Sequence, residues 1–327
     1  MTTPILHRRP RRHLRAGALA LACLLAPATL LAGPAAAAPA PTDVRPGQLE
    51  RSETDAVHVV GNVLVQGDVR TRVGKHPAHH VGQSLNGHVL ISGRKVVRIT
   101  ADGTRHVIAK GVTWAELASD GETLWTERYT PRGTWLQQHD ALTGWDGERV
   151  RVPASAMVLG GTNTKVLVVT GKRTRWLTWL TGRWSPVISK RSHRADVANN
   201  RLAYFTRDPY RGGCTVVAKL SNPSRKLWRS CSERVDAFSP GGKRMTTVAL
   251  LADGLGPNRV GLRSRRGKAL ASYRVGKRGY IGQAVWGGPN DSTLTLQVNG
   301  PRWSTVAECA KRSCTRVAGL TRSEPSH

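Results

Sequence analysis

Side chains that could bind a ligand recur beside one alanine position of a repeated sequence pattern. The landmark alanines follow one another at steps of 41, 39, 42 and 47 residues; they are Ala115, Ala156, Ala195, Ala237 and Ala284. The candidate site consists of the polar or aromatic residues beside these alanines, or at the matching place of the first repeat: His79, His80, Trp114, Glu116, Arg194, Asp196, Asp236 and Gln283. A set of mixed charge can bind a polar or ionic ligand. The simpler interpretation is that the acids bind backbone amides of neighbouring repeats.

Metal binding is the second chemistry that these residues could perform. His76, His79 and His80 are the main histidine cluster, and imidazole is a common metal ligand. A complete site would need carboxylates from other repeats, with Glu116, Asp196 and Asp236 available. We interpret the histidines as residues of a solvated loop and the strand after it. No metal and no cofactor is therefore predicted.

Catalytic signatures are almost absent. The segment Gly82-Gln83-Ser84-Leu85-Asn86 ends in Asn where a nucleophile elbow has Gly, and a β-hairpin follows it instead of a helix. Gly171-Lys172-Arg173 lacks the first Gly and the Ser or Thr of a phosphate-binding loop. No catalytic residue is assigned from the sequence.

Tight turns show which elements must position the candidate residues. Each landmark alanine is followed by a two-residue turn and an apolar strand, and a second hairpin comes after that strand. The first turns are Asn86-Gly87, Asp120-Gly121, Asn163-Thr164, Asn199-Asn200, Gly241-Gly242 and Asn290-Asp291. These residue types tolerate the positive φ of hairpin turns. Six units of four strands, about 41 residues each, predict an all-β, six-bladed β-propeller of four-stranded antiparallel blades.

The number of blades depends on the hairpin at residues 57–66. It could close the ring by pairing with the last blade, or it could be a reduced seventh blade. Six blades is the preferred prediction and seven the alternative. Propellers usually bind ligands where the inner strands meet, so the candidate residues are expected at a central funnel.

Two of the turns resemble a known family. Ala237-Phe238-Ser239-Pro240-Gly241-Gly242-Lys243 and Ala118-Ser119-Asp120-Gly121-Glu122 resemble the F-S-P-D-G turns of TolB-type and WD-type propellers. The resemblance covers roughly residues 78–320, and the other four turns have lost the Ser-Pro. The similar proteins are exported actinobacterial proteins with degenerate TolB-like repeats. The resemblance implies a binding propeller, with no catalytic residue to carry over.

The first forty residues are predicted to be an export signal. Five arginines precede the apolar stretch 16–31, and Ala35-Ala36-Ala37-Ala38 supplies a cleavage site. Arg11-Arg12 resembles a twin-arginine signal, so Sec and Tat export both stay open. Residues 41–56 are predicted to be a flexible lead-in, 57–320 the propeller and 321–327 a tail. We expect a secreted or wall-associated monomer without a transmembrane segment in the mature chain.

The remaining chain is strongly basic. Removal of the five leader arginines leaves 45 basic and 21 acidic residues, a formal charge of +24. Such a charge favours anionic partners, although an arginine-rich composition would also produce it. No dense basic block is present, and nucleic acid is not expected as the partner. The preferred function is recognition of a protein or an anionic cell-envelope polymer; the alternative is a propeller lactonase, lyase or hydrolase that uses the funnel.

Four cysteines remain after the leader. Cys214 and Cys231 fall in one predicted hairpin, and Cys309 and Cys314 fall in another. An exported chain meets oxidising conditions, so disulfides are expected. The repeat register predicts the pairs Cys214–Cys231 and Cys309–Cys314.

Overall fold

Seven β-sheets make up the computed structural model, which describes residues 39–52, 57–252, 256–287 and 291–322. The innermost strands of the first six sheets contact one another in chain order, and the innermost strand of the first sheet also contacts the last sheet. The sheets are therefore the blades of a propeller, as predicted. There are seven of them, which was the alternative count.

Six blades have four strands in chain order from the axis outward, and the first blade has three. Blades 1 to 3 are β2 (His58–Val60), β3 (Val63–Gln66), β4 (Val69–Arg72); β5 (Ala78–Ser84), β6 (Gly87–Ser92), β7 (Lys95–Ile99), β8 (Arg105–Lys110); and β9 (Trp114–Leu117), β10 (Thr123–Thr130), β11 (Gly133–Asp140), β12 (Asp146–Val152). Blades 4 and 5 are β13 (Met157–Gly161), β14 (Lys165–Thr170), β15 (Arg173–Thr178), β16 (Arg183–Ile188); and β17 (Ser192–Asp196), β18 (Arg201–Phe205), β19 (Thr215–Lys219), β20 (Asn222–Ser230).

Blades 6 and 7 also pair with segments near the ends of the chain. They are β21 (Glu233–Phe238), β22 (Arg244–Ala249), β23 (Arg259–Ser264), β24 (Ala269–Arg274); and β25 (Tyr280–Gly287), β26 (Thr293–Asn299), β27 (Trp303–Ala310), β28 (Ser313–Arg316). The strand β1 (Thr42–Asp43) pairs with β24, and β29 (Thr321–Arg322) pairs with β27. The short helices in the described residues are both 3₁₀, Pro46–Gln48 and Pro209–Arg211. No helix of the described residues is long and apolar enough to span a membrane.

The core lies between blades, because both faces of a blade are covered by its neighbours. In β14, Val166 and Val168 pack toward blade 3, whereas Leu167 and Val169 pack toward blade 5. This is the period of two expected when successive side chains point to opposite faces. Trp125 is fully buried between blades 3 and 4, where it meets Trp179 edge-on with ring centroids 4.8 Å apart. Large rings therefore fill the wedge between blades.

Blade 1 is the reason that the propeller has seven blades and not the preferred six. The segment 58–72 forms its own sheet and packs on blade 2 through Leu64, Val73 and Leu90. The hairpin at 57–66 thus does not complete the last blade. The sequence could not decide the number because blade 1 lacks a fourth strand and the alanine of the other repeats.

The segment 41–52 lies along the outer edges of blades 6 and 7. The sequence predicts a flexible lead-in here, but β1 pairs in parallel with β24 and Arg51 bridges to Arg316. Val44 is 0% exposed and belongs to the apolar cluster between blades 6 and 7. This part of the lead-in is therefore a strap that joins two blades. The predicted export signal, residues 1–40, lies outside the described residues except for its last two.

The structure contains the two disulfides that the repeat register predicts. Cys214 directly precedes β19 and bonds to Cys231, which directly follows β20; Cys309–Cys314 joins β27 to β28. Cys309 is buried in the cluster between blades 6 and 7. Each bond therefore fixes the outer part of one blade.

Loss of the Cys309–Cys314 bond is expected to weaken the last blade. We expect Cys309→Ala/Cys314→Ala to lower the free energy of unfolding by about 2 kcal/mol, since the bond closes a short loop in the unfolded chain. Urea denaturation of the oxidised proteins would measure this loss. A Cys214–Cys309 linkage in peptides of the unreduced protein would contradict the pairing itself.

Candidate functional site

An irregularity shared by five inner strands shapes the centre of the propeller. The pairing of the inner strand with the next strand shifts by a residue or more in blades 2, 4, 5, 6 and 7. A β-bulge bends its strand and redirects side chains, and bulges are common near functional sites. The residues left without a partner in the ladder are Val81, Leu159, His193, Asp236, Gly282 and Gln283. Two of the predicted site residues, Asp236 and Gln283, are therefore placed by bulges.

Glu116 is the acid most affected by its surroundings. It lies on β9, where the Trp114 side chain donates a hydrogen bond to it. Burial raises the pKa of Glu116 to about 7, and the nearby carboxylate of Glu127 adds to the rise, whereas Arg194 opposes it. A carboxyl with such a pKa changes charge near neutral pH.

Glu127 supports Glu116 from the next strand. It is fully buried, accepts hydrogen bonds from the Tyr129 hydroxyl and the Val158 amide, and lies opposite Trp114 in the sheet. Burial raises the pKa of Glu127 as well. Glu127 thus connects blade 3 to blade 4, and its carboxylate contributes to the raised pKa of Glu116.

Arg194 of β17 lies near Glu116, and Arg234 of the adjacent inner strand β21 lies near Arg194. Arg194 donates from Nε to the carbonyl oxygen of Asp236 at 2.5 Å, and Arg234 donates to the carbonyl oxygen of Ala252 at 3.1 Å. Burial lowers the pKa of Arg234; the carboxylate of Asp236 opposes this, and Arg194 adds to it. Among the described residues, no carboxylate oxygen lies within 4.0 Å of a nitrogen of either guanidinium, so neither arginine forms an ion pair. The centre thus holds two neighbouring cations that backbone carbonyls orient.

The second group of predicted residues lies on the other side of the axis. His80 contacts His88 through Nε2 and Nδ1, 3.0 Å apart. Burial and the neighbouring His88 lower the pKa of His80 to about 4. Gln283 donates to the carbonyl oxygen of His80 at 3.2 Å, which joins blade 7 to blade 2 beside the small blade 1. His80 and Gln283 border a small cavity of about 20 Å³ that His58 and Val59 also line.

Three predicted residues lie at the surface or in a turn, and one of them, Trp114, still donates to Glu116. His79 is exposed on β5, and Trp114 is 42% exposed at the start of β9. Asp196 accepts hydrogen bonds from the backbone and side-chain nitrogens of Asn199, so it stabilises the turn of blade 5. The histidines do not converge: no three His, Cys, Asp or Glu of the described residues form a group that could hold a metal.

The structure therefore brings together Trp114, Glu116, Arg194 and Asp236 in one group and His80 with Gln283 in another. Sequence reasoning missed Arg234 and Glu127. Arg234 lies on β21 two residues before Asp236, but the bulge at Asp236 breaks the alternation that could have indicated it. Glu127 gave no such signal, because it lies in the second strand of its blade.

Comparisons with known proteins agree on the fold. No protein-family model and no curated protein matches the sequence. The β-propeller domain of the Trilobed protease from Pyrococcus furiosus is similar in structure, with a TM-score of 0.54, 10% identity and coverage of 82% of this chain and 94% of that one. An acylaminoacyl peptidase has a TM-score of 0.57 at 9% identity, over 82% of this chain and 51% of its own.

TolB from Acinetobacter baumannii is also among the similar structures. Its TM-score is 0.47 at 14% identity, over 65% of this chain and 61% of TolB. This chain thus matches about three fifths of TolB and half of the peptidase. At identities this low, the structural similarity shows a propeller fold and gives no information about activity.

Proposed function

We propose that this protein is an exported binding propeller that holds an anionic group of a cell-envelope polymer between Arg194 and Arg234 in its central funnel. The observation that carries the proposal is the pair of guanidinium groups with no ion-pair partner among the described residues. Two neighbouring cations repel each other unless an anion lies between them. Guanidinium groups also match carboxylate and phosphate geometry.

The charge of the whole chain supports the same class of ligand. The formal charge is +29 with the predicted leader and +24 without it, because the leader holds five arginines and no acid. A field of this sign raises the rate at which polyanions reach the surface. The arginine pair would then supply the specific contact. Export follows from the predicted signal and is supported by the two disulfides.

Binding of poly(glycerol phosphate) tests the proposal. We expect Arg194→Ala/Arg234→Ala to weaken binding about tenfold, because each lost guanidinium removes a charge-assisted contact in a solvent-accessible site. Isothermal titration calorimetry at low and at physiological salt would measure the affinity. Circular dichroism would verify that the variant is folded, and Arg234→Gln alone provides a milder change.

A matched control separates specific contact from general charge. Arg173→Ala/Arg183→Ala removes the same charge from exposed positions of blade 4. We expect it to change the affinity less than twofold. Equal losses in both double variants would show that the basic surface, and not the funnel, holds the polymer.

The enzyme alternative is favoured by one observation, the pKa of Glu116 near 7 beside Arg194. A general base works best when its pKa is near the operating pH, and a cation can stabilise a developing negative charge. This second candidate is a lyase or hydrolase acting on the bound polymer. Shortening of the polymer by the wild type but not by Glu116→Gln would establish it.

The chain is further proposed to be a monomer of the degenerate TolB-like type found in actinobacteria. Sequence patterns alone support this assignment, through the turns at 118–122 and 237–243. Sedimentation of the exported protein would test the monomeric state.

A further inference from the structure

A cleft between blades 2 and 3 is lined by none of the residues assigned to the funnel. Its volume is about 700 Å³, within the range of small-ligand sites. The wall from blade 2 is β8 with the loop that follows it, and the wall from blade 3 is one face of β10, β11 and β12. The polar and aromatic side chains of the cleft include Lys110, Arg128, Trp135, Gln137, His139 and Arg149.

The register of blade 3 arranges this face in rows across the sheet. Arg128, Trp135 and Arg151 form one row, with Trp135 paired to both arginines. The next row consists of Thr126, Gln137 and Arg149. Directly opposite residues in a sheet lie within side-chain contact distance. An aromatic ring is thus flanked by two guanidiniums, with an amide and a third guanidinium beside it.

The lining of the cleft contains three cations, Lys110, Arg128 and Arg149, and one acid, Asp146. Neither Arg128 nor Arg149 takes part in an ion pair in the described part of the chain. Arg149 donates from Nε to Oε1 of Gln137 at 2.8 Å, and the guanidinium of Arg128 lies against Gly111 of the opposite wall. Asp146 is the acid of the cleft, and its carboxylate is bound to His139. The cleft is therefore positively charged.

A hydrogen-bonded relay holds the wall in shape. The Thr126 hydroxyl lies 2.8 Å from Nε2 of His139, and Nδ1 of His139 lies 2.6 Å from Oδ1 of Asp146. These three residues belong to β10, β11 and β12, so the relay joins three strands. Thr126 and His139 are buried behind the arginine and tryptophan rows. A wall fixed in this way can present its cations without reorganisation.

Trp135 indicates which class of anion fits. Its side chain is 36% exposed, so part of the ring is open to a ligand. An exposed indole offers a flat apolar face of the kind that a sugar ring covers, while guanidiniums and amides bind hydroxyl and carboxylate groups. Single-stranded nucleic acid is usually held by successive aromatic platforms. One ring among three guanidiniums suits a sugar that carries a carboxylate.

We propose that the cleft between blades 2 and 3 binds an acidic oligosaccharide, with one sugar ring on Trp135 and a uronic carboxylate between Arg128 and Arg149. This site is separate from the funnel and does not depend on the function proposed for it. The two arginines provide charge and the tryptophan provides stacking. Removal of either contribution weakens binding.

Titration with tetragalacturonate tests the site, with maltotetraose as the uncharged probe. We expect the wild type to bind the acidic tetramer and Trp135→Ala to weaken it about tenfold, a typical loss for one stacked ring. Arg128→Ala/Arg149→Ala is expected to weaken it by at least as much. Maltotetraose is expected to bind at least tenfold more weakly than the acidic tetramer.

Two control variants decide between explanations. Trp303→Ala removes an exposed tryptophan of blade 7, and Arg173→Ala/Arg183→Ala removes two exposed arginines of blade 4; both are expected to bind tetragalacturonate as the wild type does. The proposal is overturned if the wild type does not bind the tetramer at millimolar concentration, or if Trp135→Ala binds it unchanged. Tighter binding of a short single-stranded oligonucleotide than of the tetramer would also overturn it, in favour of nucleic acid.

Discussion

Replacement of Glu116 by glutamine is expected to stabilise the folded protein at pH 8.5 and to have little effect at pH 4. The pKa of Glu116 rises from 4.5 to about 7 on folding. Below pH 4.5 the carboxyl is protonated in both states. As the pH rises toward 7, the unfolded chain releases this proton while the folded one keeps it, so stability falls. Above pH 7 the full cost, on the order of 3 kcal/mol, is present.

The physical reason is burial of a charge. Burial is the largest cause of the shift, followed by the opposing field of Arg194 and the repulsion from Glu127. Glutamine has nearly the shape of the protonated acid and never acquires the charge. It should therefore escape the loss of stability that the wild type undergoes between pH 4.5 and 7.

Urea denaturation from pH 4 to 9 would measure the effect. The difference between Glu116→Gln and wild type should grow across that interval and then stay constant. Glu122→Gln, an exposed position of the same blade, is the matched control and should show no such growth. A difference that does not change with pH would contradict the assignment of Glu116 as a buried titrating group.

The same variant connects stability to the proposed function. Above pH 7 the charge on Glu116 neutralises part of the field of Arg194, so binding of poly(glycerol phosphate) should weaken between pH 6 and 8. Glu116→Gln should keep the affinity of the wild type at pH 6. If its affinity falls with pH as in the wild type, Glu116 is not part of the anion site.

Substitution of Val44 by aspartate is the second change with a large expected effect. Val44 is fully buried between blades 6 and 7, although β1 before it is only two residues long. A carboxylate there would be buried in an apolar cluster without a partner. We expect a loss of at least about 3 kcal/mol in the free energy of unfolding, since an unpaired buried charge is strongly destabilising.

Thermal and urea unfolding of the oxidised protein would measure this loss. Val69→Asp is the control, because Val69 has the same side chain at 37% exposure on blade 1. It should lower stability by less than about 1 kcal/mol, as surface substitutions commonly do. Equal stability of Val44→Asp and wild type would mean that the segment before blade 1 is a loose lead-in and not a strap.

The sequence by itself determined what depends on local pattern. The turn Gly241-Gly242 lies between β21 and β22 as predicted, with Gly242 at a positive φ, whereas the turn predicted at Asn86-Gly87 lies one residue earlier because Gly87 begins β6. The spacing of such turns placed Cys309 and Cys314 in one hairpin and so gave their pairing. Blade register and disulfides need only a few tens of residues of context, and they could be predicted.

The tertiary structure alone decided what depends on contact between distant blades. Residues 58–72 became a seventh blade because Leu64 packs on blade 2, a contact that no repeat pattern encodes. The raised pKa of Glu116 and the proximity of Arg194 to Arg234 both arise because side chains of different blades are buried together. The predicted set included Arg194 but not Arg234. It also included Asp196, which lies beside a landmark alanine as Arg194 does but stabilises a turn. Charge and spacing identify candidates, whereas closure of the ring selects which of them meet.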